Sequence, residues 1–314
     1  MKLQTTIAVS PESSQIDYDS KVLLLGSCFA ESMGEKLEYF KFQNLQNPFG
    51  IIFNPLSIQK LLERAVNNKT FTEADIFEKD GQWHCFEVHS LVTAVSEEDF
   101  LVLLNEKLAR LREFVAEASH VVFTFGTAWV YRHKVTGEIV ANCHKIPQQE
   151  FSKELLSVQE ISHSLENLVS LLGELNDSLT VITTVSPVRH LKDGFVENTR
   201  SKSHLVAGVH AVNGINYFPS YELMMDELRD YRFYERDLVH PNQLAIDIIW
   251  DRFKGVWISS ETDILQKEID SIQKGLRHRP FAADSPSHRT FQNNLQHKIK
   301  EVTVKLPYIE FNTK

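Results

Sequence analysis

Two nucleophilic side chains, Ser27 and Cys28, stand side by side in the pentapeptide Gly26-Ser27-Cys28-Phe29-Ala30. The apolar run Val22-Leu23-Leu24-Leu25 precedes it as a buried strand, and Ala30, Met33, Leu37 and Phe40 follow at helical spacing. Strand, glycine-led turn and helix lift a small side chain to the edge of a parallel sheet and aim helix N–H groups at whatever binds there. A thiol at a helix N-terminus feels the positive end of the dipole, which favours thiolate, whereas a serine there needs a neighbouring base. Near the other end of the chain lies Asp237-Leu238-Val239-His240. An Asp three residues before a His can accept its Nδ1–H and leave Nε2 as a general base. Each motif has a plainer alternative: a small buried cysteine, and a helix-capping Asp beside an exposed His.

Further candidates sit at other strand ends. In Phe125-Gly126-Thr127-Ala128-Trp129, Gly126 permits close approach of a ligand and Thr127 offers a hydroxyl. In Asn47-Pro48-Phe49-Gly50, Gly50 either supplies an oxyanion N–H or simply turns the chain. Asn142, His144 and Lys145 form a polar cluster, and Arg189 follows a sheet strand, where it can fork onto a carboxylate or phosphate or make a structural salt bridge. Cys85, Glu87 and His89 alternate as on one strand face, but the paired spacings of a strong metal site are lacking. An exposed, alternating polar face explains them better, and no metal is expected. With neither a P-loop nor a Rossmann glycine fingerprint, no cofactor is expected either.

The elements that must position these residues alternate along the chain. A helical stripe from Leu101 to Val115 leads to a strand at Val121–Phe125, and a stripe from Leu155 to Leu172 leads to a strand at Val181–Val185. A short strand at Ile215–Phe218 and helical patterns at Leu244–Trp257 and Ile264–Leu276 follow. This order predicts an α/β protein with a mainly parallel sheet. Asp80-Gly81 and Thr136-Gly137 mark hairpins, Trp83 to Leu91 alternates like a strand, and Arg277 to Gln296 is polar enough to suggest a loop.

With 314 residues, 42% apolar content and a net charge of −9, the chain can bury a core but is a poor match for nucleic acid or an anionic membrane. No apolar run is long enough to span a bilayer, Met1 to Thr6 lacks a secretory h-region, and three cysteines are too few for a disulfide framework. A cytoplasmic location is expected; the oligomeric state is left open.

The sequence resembles the GSCFA-domain family, named after residues 26 to 30. The likeness continues through Asn47 to Gly50, Gly126 to Tyr131, Asn142 to Pro147, Ser186 to His190, Tyr217 to Glu222 and Asp237 to Pro241. That family is placed near the SGNH (GDSL-like) hydrolases, which implies a three-layer α/β/α fold of flavodoxin-like topology over residues 1–258, with 259–314 as a C-terminal extension. By position Cys28 takes the place of the SGNH serine, Gly50 stands for the second-block glycine, and Asp237 and His240 keep the last block. Ala128 and Trp129 replace the third block's Asn-Asp, so an oxyanion donor is missing, with Thr127 or Asn142 as substitutes. The resemblance implies a hydrolase or acyltransferase acting on an ester, for example an acetyl ester of a carbohydrate. The alternative is an inactive small-molecule or glycan binding protein in which Arg189 and Lys145 contribute.

Overall fold

The computed structural model describes residues 5–282 and 285–311. In chain order the strands are β1 (Lys21–Gly26), β2 (Gln43–Gln46), β3 (Phe77–Lys79), β4 (Gln82–His84), β5 (His120–Phe125), β6 (Trp129–His133), β7 (Ile139–Val140), β8 (Phe151–Leu155), β9 (Thr180–Val185) and β10 (Asn216–Tyr217). The helices are α1 (Cys28–Tyr39), α2 (Pro55–Val66), α3 (Glu97–Glu117), α4 (Val158–Leu175), α5 (Phe195–His210), a single turn α6 (Ser220–Glu222), α7 (Gln243–Trp257), α8 (Asp263–Arg277) and α9 (Pro286–Lys305).

Five strands form one parallel sheet in the order β10-β9-β5-β1-β2. Counted along the chain, the first of these strands lies between the second and the third. That is the flavodoxin-like order, whose ligand crevice opens where the strand order reverses, here between β1 and β5. Side chains of β1 alternate between two cores. Leu23 and Leu25 pack with α2, α3, α4 and α5, while Val22 and Leu24 pack with α1, α7, α8 and α9. Burial on both faces makes these strands continuous apolar runs, and the protein is a three-layer α/β/α structure.

The excursions beyond the sheet differ in part from the sequence pattern. Asp80 and Gly81, both at positive φ, turn the β3–β4 hairpin as expected. Strand structure ends at His84, however, and Cys85 and Glu87 are buried rather than lining an exposed strand face. Burial of Glu87 is explained by Arg64 of α2, whose Nε and Nη2 bond its carboxylate at 2.5 and 2.8 Å. The same guanidinium also bonds Asp75 and stacks over the Phe71 ring. After β5 the chain makes a three-stranded antiparallel sheet, β7-β6-β8, so Leu155 belongs to a strand and not to the helix that follows.

The polar stretch after Arg277 is a second departure. From Pro286 onward it is helix, with Ser285 as N-cap accepting from the His288 N–H and Pro286 in the first turn. Helix α9 lies against α8, where Leu295 meets Gly275, and Val302, Leu306 and Ile309 are buried in the second core. Among the described residues no helix is long and apolar enough to cross a membrane.

Removing the Arg64 guanidinium leaves Glu87 buried with Lys60 as its one remaining ion-pair partner among the described residues. Arg64→Met is expected to cost roughly 3–5 kcal/mol, as breaking a buried ion pair from one side does. Urea unfolding measures this; an unchanged midpoint would contradict it.

Candidate active site

Gly26 ends β1 at φ +144°, and a Cβ there would lie 2.1 Å from the Thr124 carbonyl oxygen of β5. Only glycine fits so close an approach. The next residue, Ser27, donates its N–H to the same carbonyl at 2.9 Å and is fully buried. Its Oγ accepts from the Phe29 N–H, making Ser27 the N-cap of α1. Cys28 is therefore the first residue of the helix, half-buried, with the N–H groups of Cys28 and Phe29 directed at its sulfur. Burial and the Glu31 carboxylate push the thiol up; the Lys202 ammonium and those N–H groups pull it down without reversing the direction.

The second half of the site is a loop before α7. Asp237 Oδ1 accepts from the N–H groups of Val239 and His240 at 2.9 and 3.0 Å, and its Oδ2 lies 2.6 Å from His240 Nδ1. Those N–H groups and the imidazole hold the Asp237 carboxyl down at about 2. With Nδ1–H given to the carboxylate, Nε2 of this exposed ring is left free to take a proton. Leu238 adopts a left-handed φ of 59°, a strained conformation for a side chain of this size. Arg189 holds the loop in that shape. Its N–H reaches the Val239 carbonyl at 3.3 Å, its guanidinium bonds the Leu238 carbonyl, and the ring of Tyr234 lies 4.1 Å below it.

Between the two halves lie residues that motif reading passed over. Lys202 of α5 is 1% exposed, and its Nζ donates to the carbonyls of Gly126 at 2.7 Å and Ser186 at 2.8 Å, just past the ends of β5 and β9. Burial drives it down to about 7, with the charge of Cys28 acting in the opposite direction. His190 packs edge-on to Phe53 and against Gly126, and among the described residues its buried Nε2 has no hydrogen-bond partner. Burial, then the charges of Lys202 and His240, push its imidazole down to about 3, so it is neutral. The Lys202 charge thus acts on both Cys28 and His190, and that of His240 on His190. The signal for Lys202 was a polar stripe, Asn198, Ser201 and Lys202, on the buried face of α5 where apolar residues are the norm.

The remaining candidates are largely engaged elsewhere. The Gly50 N–H donates to the Asn47 carbonyl at 2.8 Å, and His89 fills the space beside Gly50. Gly126 gives its N–H to the Phe53 carbonyl at 2.7 Å, and the Thr127 hydroxyl shares a hydrogen bond with Ser201 Oγ at 2.9 Å. Asn142 Oδ1 caps the His144 N–H at 2.9 Å; His144 is buried, Nε2 bonds the Cys85 carbonyl at 2.7 Å, and Lys145 is exposed on the same turn. That turn braces the β3–β4 excursion, because His144 packs on Phe77, His84 and Phe86. Burial, opposed by the Cys85 carbonyl, leaves the His144 imidazole at about 4.

These features define a doubly wound α/β protein with a cysteine at the head of a helix, placed at the reversal of strand order and accompanied by an Asp–His pair. The GSCFA family model matches residues 21–253, and that of the GSCFA domain protein, C-terminal domain, matches residues 269–314. The chain belongs to the GSCFA family. Among solved structures it is similar to a carbohydrate esterase family 3 protein from Talaromyces cellulolyticus, at 9% identity and a TM-score of 0.36, covering 79% of this chain and 99% of that one. No curated protein matches the chain.

Two predictions follow from the burial of these groups. Ser27→Ala removes a cap and is expected to cost about 0.5–2 kcal/mol while Cys28 still reacts with iodoacetamide, and loss of labelling in a folded variant would contradict that. His144 and His190 are held at about 4 and about 3, below an unfolded imidazole at ~6.5, so the unfolded chain takes up protons first as pH falls. Stability is then lost below that unfolded value, at a limiting slope of about 1.4 kcal/mol per pH unit for each ring. The urea midpoint should fall between pH 7 and pH 5; a constant midpoint would refute the assignment.

Proposed function

We propose that the protein is an ester hydrolase or acyltransferase in which Cys28 is the nucleophile, His240 the general base and Asp237 its orienting partner. The observation that carries this is the 2.6 Å contact of Asp237 with His240 Nδ1, which leaves Nε2 available at the same end of the sheet as Cys28. Ser27 is a poor nucleophile by comparison, because it is fully buried and its oxygen is spent on the cap.

In this reading Sγ attacks the ester carbonyl carbon while its proton passes to His240 Nε2. The tetrahedral oxygen faces the N–H groups at the start of α1, where the helix dipole favours negative charge. Collapse breaks the bond to the alcohol oxygen, which takes the proton back from His240. Water, or a second alcohol, then cleaves the thioester and restores the thiol. Because the Cys28 thiol is pushed up rather than down at rest, deprotonation by a base is required and a standing thiolate is not. Acetyl esters of carbohydrates are the first substrates to try.

One observation favours a binding protein on a hydrolase scaffold. The Gly50 N–H is engaged by Asn47 and Ala128 stands where the related hydrolases carry Asn, so oxyanion donors are few. Turnover of p-nitrophenyl acetate and of an acetylated sugar separates the two. The esterase reading expects Cys28→Ala to abolish turnover, His240→Ala to lower it by about 10²–10⁴-fold and Ser27→Ala to retain it. Saturable ligand binding without turnover, or turnover that survives Cys28→Ala, would overturn it.

A further inference from the structure

Lys202 is a costly residue to bury, since an ammonium at 1% exposure gives up nearly all of its hydration. Two of its three N–H donors are satisfied, by the carbonyls of Gly126 and Ser186, and among the described residues no carboxylate forms a salt bridge with it. Two neutral carbonyls stitch the ends of β5 and β9 together but leave the positive charge unbalanced. A neutral donor on α5 would stitch them as well; Ser201, one residue away, is a neutral group that accepts the Ala128 N–H in the same way. A structural staple alone therefore does not account for a charge at this position.

Sheet register shows where the charge lies. Gly26 pairs with Thr124 and the Ser27 N–H is on the Thr124 carbonyl, so α1 begins, with Cys28, at the end of β5, and two residues beyond Thr124 the Gly126 carbonyl takes Lys202 Nζ. The groups facing Cys28 are Glu31 on its own helix, Lys202 from α5 and the N–H groups of Cys28 and Phe29. Those facing Lys202 are Cys28, the neutral His190, which itself faces His240, and the Tyr221 ring 5.5 Å from Nζ. Glu31 disfavours negative charge on the sulfur, and the Lys202 ammonium offsets it.

We propose that Lys202 is a positioning residue for the thiol chemistry: its buried ammonium is the charge partner of Cys28, stabilising the sulfur as it becomes negative. It works through the field and not by touching substrate, because Nζ is covered by the strand ends. It also supplies positive potential at the end of β5, where Ala128 has no side-chain donor and the Trp129 indole N–H is spent on the Glu197 carbonyl. Lys202 and Cys28 are then thermodynamically coupled, each shifting the titration of the other by the same amount.

This coupling presupposes that Cys28 is the working thiol of the proposed esterase, yet it is measured without substrate, so the two fail independently. The rate of Cys28 alkylation by iodoacetamide is followed against pH in the wild type, Lys202→Met and Lys202→Arg. Lys202→Met should slow alkylation about tenfold at pH 6, where the ammonium is protonated, with the difference closing as pH rises above 7, and Lys202→Arg should restore most of the loss. If Lys202→Met folds and its profile matches the wild type, the proposal is overturned. Should both variants fail to fold, the reciprocal measurement decides: the ¹³Cε resonance of the lysine titrating near neutrality, in ¹³C-lysine-labelled wild type and Cys28→Asp, whose carboxylate places a fixed negative charge where the thiolate would form. A higher midpoint in Cys28→Asp supports the coupling, and identical titrations overturn it.

Discussion

The approach of β1 to β5 at Gly26 governs the geometry of this protein. A side-chain carbon there would stand 2.1 Å from the Thr124 carbonyl oxygen, and the same carbonyl takes the Ser27 N–H, so the chain must leave the sheet at this point. Helix α1 then starts immediately, with Ser27 as its cap and Cys28 on its first turn. Asn47, itself at a positive φ of 36°, closes the other side by accepting the Gly26 N–H at 2.8 Å through its side chain. The choice between adjacent serine and cysteine follows from this constraint: one residue must cap the helix, and the one after it is presented to the crevice.

Polar groups at the neighbouring strand ends are satisfied by a stripe on α5. Asn198 accepts the His190 N–H, Ser201 the Ala128 N–H, and Lys202 donates to Gly126 and Ser186. Unpaired carbonyls and N–H groups at the ends of buried strands are expensive, which accounts for a helix face that is polar toward the core. Arg189 performs a comparable task for the Asp237–His240 loop, where the left-handed Leu238 would otherwise have little to keep it in place. The catalytic candidates thus come from opposite ends of the chain, and residues from its middle hold them together.

Much of this architecture is legible in the sequence, for physical reasons that also explain the gaps. Strands β1, β5 and β9 are buried on both faces and so appear as continuous apolar runs, while α3, α4 and α7 carry apolar stripes against the sheet. Strand β2 is invisible because it is an edge strand of Gln43, Asn44 and Gln46 around one buried Leu45. Helix α2 opens on Asn54-Pro55, cap and first residue, a start signal set in a stretch of weak periodicity. Helix α9 buries only Val302 fully, so its composition is that of a loop and only Ser285-Pro286 betrays it. Of the site, the pentapeptide and the Asp-x-x-His motif are local patterns and could be found directly. Lys202 could not be found by motif, since its role depends on which strand ends the fold brings beneath it.

The central claim, that Cys28 carries the acyl group, is tested most directly by mass spectrometry of the protein quenched in acid after brief exposure to p-nitrophenyl acetate. The account predicts one acetyl group, released by hydroxylamine, on the peptide containing Cys28, accumulating further in a His240→Ala protein if deacylation is slowed more than acylation. Turnover accompanied by acetylation at any other residue, with the peptide around Cys28 unmodified, would contradict it.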